Sequence, residues 1–288
     1  MWRGWRVWAL FLLAPIILLL IMDSCMQFRM SKKEISQYFS EKQVNGTLHS
    51  YQVGSRTINY AESGQLDGPL VLFVHGSPGS LSAFIDFMAD KALTSRAHLI
   101  AVDRPGFGHS NFGHAETSLN KQSLLLKPIL ETHKMKRPII LVGHSLGGPL
   151  IARMAMDYPE LIDGIILVAP SIDPNLEPDE WFRGPLAMPF LRWLLPRSIR
   201  ASNDEIYKLK PELEEMLPRW KEIRVQTTVI QGCSDNLVDP RNADFAQKRI
   251  SGTNVRMIAV ENIDHFVPWK NPELIRLAIL EQLKLLPL

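Results

Sequence analysis

The residues with the clearest chemical potential surround Ser145. It stands in Gly143-His-Ser-Leu-Gly147, after the apolar run Ile139-Ile-Leu-Val142 and before a segment of helix-like composition. A serine between strand and helix in G-x-S-x-G occupies a tight, strained turn that holds its hydroxyl above the strand ends. Residues two before and two after it must be small, which Gly143 and Gly147 satisfy, and Gly148 lets the helix pack close. A hydroxyl is a weak nucleophile without a base, and the base in turn needs a carboxylate to orient it. Of the eight histidines, His265 lies in Asn262-Ile-Asp-His-Phe-Val-Pro268, just past the last apolar run. His49, His75, His98, His109, His114, His133 and His144 read as surface or structural residues. For the acid, Asp235 follows the run Thr227-Thr-Val-Ile230. Asp264 adjoins His265, so their side chains diverge, and Asp239 before Pro240 reads as a helix cap. Asp235 is therefore the first choice and Asp239 the second. Two backbone N–H groups should face the developing oxyanion. Leu146 supplies one and Ser77, in His75-Gly-Ser-Pro-Gly79, the other, since Pro78 has no N–H. The set is that of acyl transfer through a covalent serine intermediate.

These residues need a frame that brings loop ends together. Leu70-Val-Leu-Phe-Val74, Leu99-Ile-Ala-Val102, Ile139-Ile-Leu-Val142, Gly164-Ile-Ile-Leu-Val-Ala169, Thr227-Thr-Val-Ile230 and Val255-Arg-Met-Ile-Ala-Val260 are short apolar runs. Separated by helix-length segments, they predict an α/β fold with a mostly parallel sheet and helices on both faces. Helices are predicted over 81–93, 117–133, 146–158 and 272–286. Residues 171–225 break the rhythm, being proline-rich without a strand-like run, and predict short helices over 181–195, 203–209 and 211–220. An insertion there forms a helical cap over the carboxyl ends of the sheet, where ligands bind in such folds.

Composition bounds the rest. A hydrophobic share of 46% with 22% charged residues is that of a globular protein. The formal net charge of +2 gives no electrostatic case for nucleic-acid binding. Cys25 and Cys233 make neither a disulfide framework nor a four-cysteine metal site. At the N-terminus, Arg3 and Arg6 precede an uncharged apolar stretch over residues 7–22. It is short for a span and long for a secretory signal, and both readings place the following chain on the exported side of a membrane. Cys25 stands where a bacterial lipoprotein would be lipidated. The organisation read from the chain is an anchor or lipoprotein-type signal (1–30), a connector (31–46), the core (47–170), the cap (171–225) and the rest of the core (226–288).

Taken together, His75-Gly-Ser-Pro-Gly79, Asp103-Arg-Pro-Gly-Phe-Gly-His-Ser110, Gly143-His-Ser-Leu-Gly-Gly148, Gly232 with Asp235, and Asp264-His265 resemble the α/β-hydrolase superfamily over residues 50–288. The resemblance implies a Ser-His-Asp triad, no cofactor and no metal, and a lid over the pocket. The Asp103–Ser110 loop resembles epoxide hydrolases and haloalkane dehalogenases, but those use a carboxylate where this chain has Ser145. The 75–79 loop is similar to that of proline iminopeptidases, and Gly-His-Ser-Leu-Gly-Gly is closer to esterases and acylglycerol lipases. The cap carries Trp181, Phe182, Phe190, Trp193 and Leu194 among Arg183, Arg192, Arg197 and Arg200. Such a surface packs on the core, lines an acyl pocket or lies on lipid. The substrate expected is a small-molecule or lipid ester of medium or long acyl chain. Carbon–carbon or amide hydrolysis by the same triad, or a binding protein on this scaffold, are the alternatives, because fold does not fix function.

Overall fold

The six apolar runs become strands. In the computed structural model, which describes residues 14, 16–134, 137–250 and 255–286, they are β3 (Leu70–Val74), β4 (His98–Val102), β5 (Ile139–His144), β6 (Gly164–Val168), β7 (Gln226–Gly232) and β8 (Val255–Val260). β3 to β6 are buried along their whole length, as strands covered on both faces must be. Ahead of them lie β1 (Thr47–Val53) and β2 (Arg56–Gly64), a hairpin closed by Gly54 at φ +59°. The sheet order is β1-β2-β4-β3-β5-β6-β7-β8, with β2 antiparallel to both neighbours and the other pairs parallel. Side chains alternate between two apolar clusters. Leu70, Leu72 and Val74 join the one beneath α2 (Leu119–Lys134) and α3 (Gly147–Asp157). Val71 and Phe73 join the one beneath α1 (Lys32–Glu41) and α6 (Pro272–Leu285).

This order positions the site. The chain leaves β3 toward β4 on one side and returns through β5 on the other, so β3 and β5 are neighbours whose following loops part. Open α/β sheets bind ligands in the crevice at such a reversal. Register pairs Val74 with Gly143, which sets the loops carrying Ser77 and Ser145 side by side.

Several local expectations change. Residues 31–46, read as a connector, contain α1, opened by a capping box in which Ser31 and Glu34 bond each other's backbone N–H. The helix predicted over 81–93 is broken into Leu81–Phe84, Ile85–Met88 and Lys91–Thr94, because Asp90 caps a new turn through the N–H groups of Ala92 and Leu93. In the stretch between β6 and β7, the helix predicted over 181–195 is two single turns, Arg183–Ala187 and Pro189–Arg192. The helices predicted on either side of Pro211 are one, α4 (Arg197–Met216), with Pro211 inside it. An interior proline costs about 3 kcal/mol, but Leu209, Leu213 and Met216 are buried around it, and their packing holds the helix through the break. α5 (Asn242–Arg249) follows β7. A helical segment over 16–25 precedes α1, with Ile17, Leu20 and Ile21 exposed. Among the described residues no helix is long and apolar enough to cross a membrane. Arg3, Arg6, residues 7–13 and Pro15 of the apolar start lie outside the described residues.

Candidate active site

Ser145 follows β5 with φ +53°, in the left-handed region that non-glycine residues rarely occupy. Its N–H donates to Val168 O (2.9 Å) and its carbonyl accepts from Gly148 N (2.8 Å), which lock the turn. The glycines around it are sites of close approach. A Cβ on Gly143 would lie 2.4 Å from Gly147 O, and one on Gly147 would lie 2.2 Å from Val74 O. On Gly148 it would meet Pro170 Cβ at 2.6 Å, and on Gly76 it would meet Ser145 Cβ at 2.8 Å. The serine turn and the loop after β3 are therefore in contact.

His265 and Asp235 arrive from the loops after β8 and β7. Gly232 allows it, since a Cβ there would lie 2.4 Å from Ile263 O and 2.5 Å from Asp264 O. The His265 Nδ1–Asp235 Oδ2 separation is 2.8 Å, with both side chains buried. The second oxygen of Asp235 accepts from Leu237 N (2.9 Å) and Val238 N (2.8 Å). Burial pushes this carboxyl up, but the His265 ring and the two amides outweigh it and hold the pKa below the usual aspartate value. The competing carboxylates are engaged elsewhere: Asp239 with Arg241, and Asp264 with Phe266 N and Lys270 Nζ. No hydrogen bond joins Ser145 to the His265 ring among the described residues. In unliganded sites such bonds are often long and tighten when substrate docks.

The amides of Leu146 and Ser77 take part in no hydrogen bond among the described residues. The orientation of Ser77 N–H has a cause that sequence reading missed. Arg104 is fully buried; its Nε donates to His75 O (2.8 Å) and an Nη to Gly76 O (3.1 Å). His75 Nδ1 also lies 2.6 Å from Gly76 O. A planar trans peptide points its C=O and N–H in opposite directions, so pinning Gly76 O turns Ser77 N–H away from Arg104. Glu205 of α4 pairs with both Arg104 Nη atoms at 2.8 and 3.0 Å. Burial raises the Glu205 pKa against the pull of Arg104. Arg104 belongs to the Asp103–Ser110 motif that the sequence singles out, whereas Glu205 carries no local signal. His144, by its sequence setting a surface or structural residue, is structural here. Its Nε2 lies 3.0 Å from His265 O, and because a carbonyl can only accept, that nitrogen carries the hydrogen. Burial, and then the nearby His265, press its pKa down to about 3, so it is neutral while it supports the His265 loop.

Ser77, Ser145, Leu146 and His265 line one cavity of about 1050 Å³. Its outer wall comes from the stretch between β6 and β7, including Phe182, Leu186, Leu195, Ile199 and Ile206, and from Phe28 of the N-terminal segment. The described His, Cys, Asp and Glu residues that could share a metal ion are Glu62, His98 and His133, at the amino end of β4 and away from this cavity.

A family model described as alpha/beta hydrolase fold matches residues 69–198. Human monoacylglycerol lipase ABHD6 is 25% identical over 246 residues, 71% of this chain and 72% of that protein. The crystal structure of a membrane phospholipase A, a bacterial virulence factor, superposes with TM-score 0.65 at 19% identity, covering 99% of this chain and 98% of that one. E-2-(acetamidomethylene)succinate hydrolase gives TM-score 0.64 at 22% identity, covering 83% and 100%. At these identities the structural likenesses speak for the fold and leave substrate open. Family model, sheet order and structural likeness agree that this chain has the α/β-hydrolase fold.

Proposed function

We propose that this chain is a serine hydrolase of carboxylic esters with medium or long acyl chains, working through a Ser145–His265–Asp235 triad. The observation that carries the reading is the 2.8 Å His265–Asp235 pair, set over the same cavity as a left-handed Ser145. Ser145 Oγ attacks the ester carbonyl as His265 Nε2 takes its proton, and the amides of Leu146 and Ser77 hold the oxyanion. His265 then protonates the leaving alcohol and deprotonates the water that releases the acid. Asp235 fixes the tautomer throughout. A long apolar wall suits an acyl chain, and ABHD6 is itself named for a monoacylglycerol.

The same reading attaches the chain to a membrane, with the hydrolase on the exported side. Trp181, Phe190 and Trp193 are more than half exposed, on the same stretch that walls the cavity. Cys25 is exposed at the end of the 16–25 segment. Asp23 supports an uncleaved anchor over lipidation at Cys25, because its carboxylate bonds Arg197 N (2.6 Å) and Nε (2.9 Å) at the start of α4. Processing at Cys25 would remove it. The mass of the mature protein decides between the two.

Ser145→Ala should lower ester turnover by about 10⁴ to 10⁶-fold and abolish labelling by a fluorophosphonate probe. Retained turnover would sink the assignment. A panel of p-nitrophenyl esters from two to sixteen carbons, with matched amides, tests the substrate class. A preference for amides, or for acetyl over all longer chains, would replace it.

A further inference from the structure

The cavity over Ser145 holds a carboxyl group that the triad does not use. Other charged side chains lining it have charged partners: Arg183 with Glu180, Asp239 with Arg241, and His265 with Asp235. Glu177 also lines the cavity and is half-buried. Its one hydrogen bond among the described residues comes from the neutral Ser171 hydroxyl, which donates to Oε1. Burial raises its pKa, against the Ser171 hydrogen bond and the charge of Arg183. Taking a carboxyl group out of water is costly unless its lone pairs are met, and here those of Oε2 are not met by the fold.

Local structure fixes where this group stands. Ser171 follows β6, is buried, and its N–H reaches Ser145 O at 3.4 Å. The turn that leads on to Glu177 is held by the buried Asn242 of α5, whose Oδ1 accepts from Ile172 N (2.7 Å) and Asp173 N (2.8 Å). Leu176 N closes it on Asp173 O at 3.0 Å. One serine thus bridges the turn of the nucleophile and the Glu177 carboxyl. An acceptor held there meets substrate atoms near the ester, not the far end of a long acyl chain. The field selects the kind of donor. Arg183 acts on Glu177 as a positive charge, which disfavours an ammonium, while Asp173 and Glu180 act as negative ones, which disfavour an anion. A neutral hydroxyl suits both.

We propose that Glu177, oriented by Ser171, is a specificity residue that accepts a hydrogen bond from a free hydroxyl carried by the substrate close to its scissile ester. The substrate is then a hydroxyl-bearing ester, with the hydroxyl on either the alcohol or the acyl part, and not a simple alkyl ester. This inference rests on the ester reading of Ser145 and adds what the ester must carry. A site built to bond a hydroxyl discriminates against the analogue that lacks it, because the acceptor is then left desolvated and unmet.

The test measures kcat/KM of the full chain in detergent on three esters that share one acyl length. Methyl palmitate carries no hydroxyl, 1-palmitoylglycerol carries hydroxyls on the alcohol, and methyl 3-hydroxypalmitate carries one on the acyl chain. The parent should favour one of the two hydroxyl esters over methyl palmitate by about tenfold to hundredfold, and the one it favours identifies the part that bears the hydroxyl. Glu177→Leu should bring that ratio to within about threefold of unity. Glu177→Gln, whose carbonyl still accepts, should keep part of it, and Ser171→Ala should lower it. A Glu177 that served the fold alone would slow all three esters alike and leave the ratio where it was. No preference in the parent, or a preference that survives Glu177→Leu, would overturn this inference and leave the ester reading standing. Hydrolysis of none of the three by folded protein would remove the ester reading itself, and this inference with it.

Discussion

Asp235 shows how one carboxylate is made to do one task. Its second oxygen is saturated by two backbone amides, so only Oδ2 is presented to His265. The net lowering of its pKa keeps it ionised at neutral pH. A depressed carboxyl also contributes to stability above its unfolded value near 3.8, and that contribution is lost as pH falls through the lower folded value. Asp235→Asn should preserve the fold and lower kcat by about 10⁴-fold, because an amide supports the wrong imidazole tautomer. Steady-state ester kinetics beside a circular dichroism spectrum check this, and a kcat within tenfold of the parent would remove Asp235 from the triad.

Arg104 and Glu205 connect two elements, the loop after β4 and the helix α4. Both side chains are buried, at 0% and 2% exposed. Removing one partner of such a pair strands the other charge and costs about 3–5 kcal/mol, whereas replacing both with apolar groups is often close to neutral. Glu205→Met should therefore destabilise strongly in urea unfolding, and Arg104→Met with Glu205→Met should recover much of the loss. The double variant should stay folded yet turn over ester more slowly at unchanged KM, because the 76–77 peptide is no longer pinned. Recovery of both stability and kcat would show the pair to be structural alone. The same elements show what a sequence reveals. β3 to β7 are legible as unbroken apolar runs because both faces of each strand are covered. Ser145 and Asp235 are legible as candidates because each follows such a run, and His265 because it lies just past the last strand, β8. β1, with its mostly exposed and half-buried residues, and β2 carry no such run, and α1 is short and polar apart from Ile35 and Phe39. The Glu62–His98–His133 group is invisible without the register, since its members are brought together by two strands and a helix end. Glu205 is in the same position, paired across 101 residues of chain.

At the scale of the whole molecule, the N-terminal segment is part of the cavity. Asp23 and the Met26 carbonyl hold the first turn of α4 through Arg197 and Ser198, and the Arg29 guanidinium reaches Gly108 O. Arg29 and Arg197 both lie over the ring of Phe112, at 4.3 and 4.8 Å. Phe28, held between these contacts, lines the cavity wall. Phe28→Ala should shift the ester preference by two or more carbons toward longer chains, with kcat on short esters within about twofold, since a truncated aromatic leaves space that nearby groups fill only in part. Identical chain-length profiles for parent and variant would remove Phe28 from the substrate path.

The long helix α4 is held at its start by Asp23, in its middle by Arg104, and just past its end by the fully buried Trp220. The two single turns before it, Arg183–Ala187 and Pro189–Arg192, bury no side chain. These turns meet α4 through the Arg192–Asp204 pair and through Asn203 Nδ2 donating to Arg183 O, polar contacts that exchange for water more readily than the buried anchors of α4 do. On the proposed ester reading, admission of a substrate and discrimination of its length are then separable properties. The first is set by turns that open at small free-energy cost, the second by a wall that holds still, and each can drift or be engineered without disturbing the other.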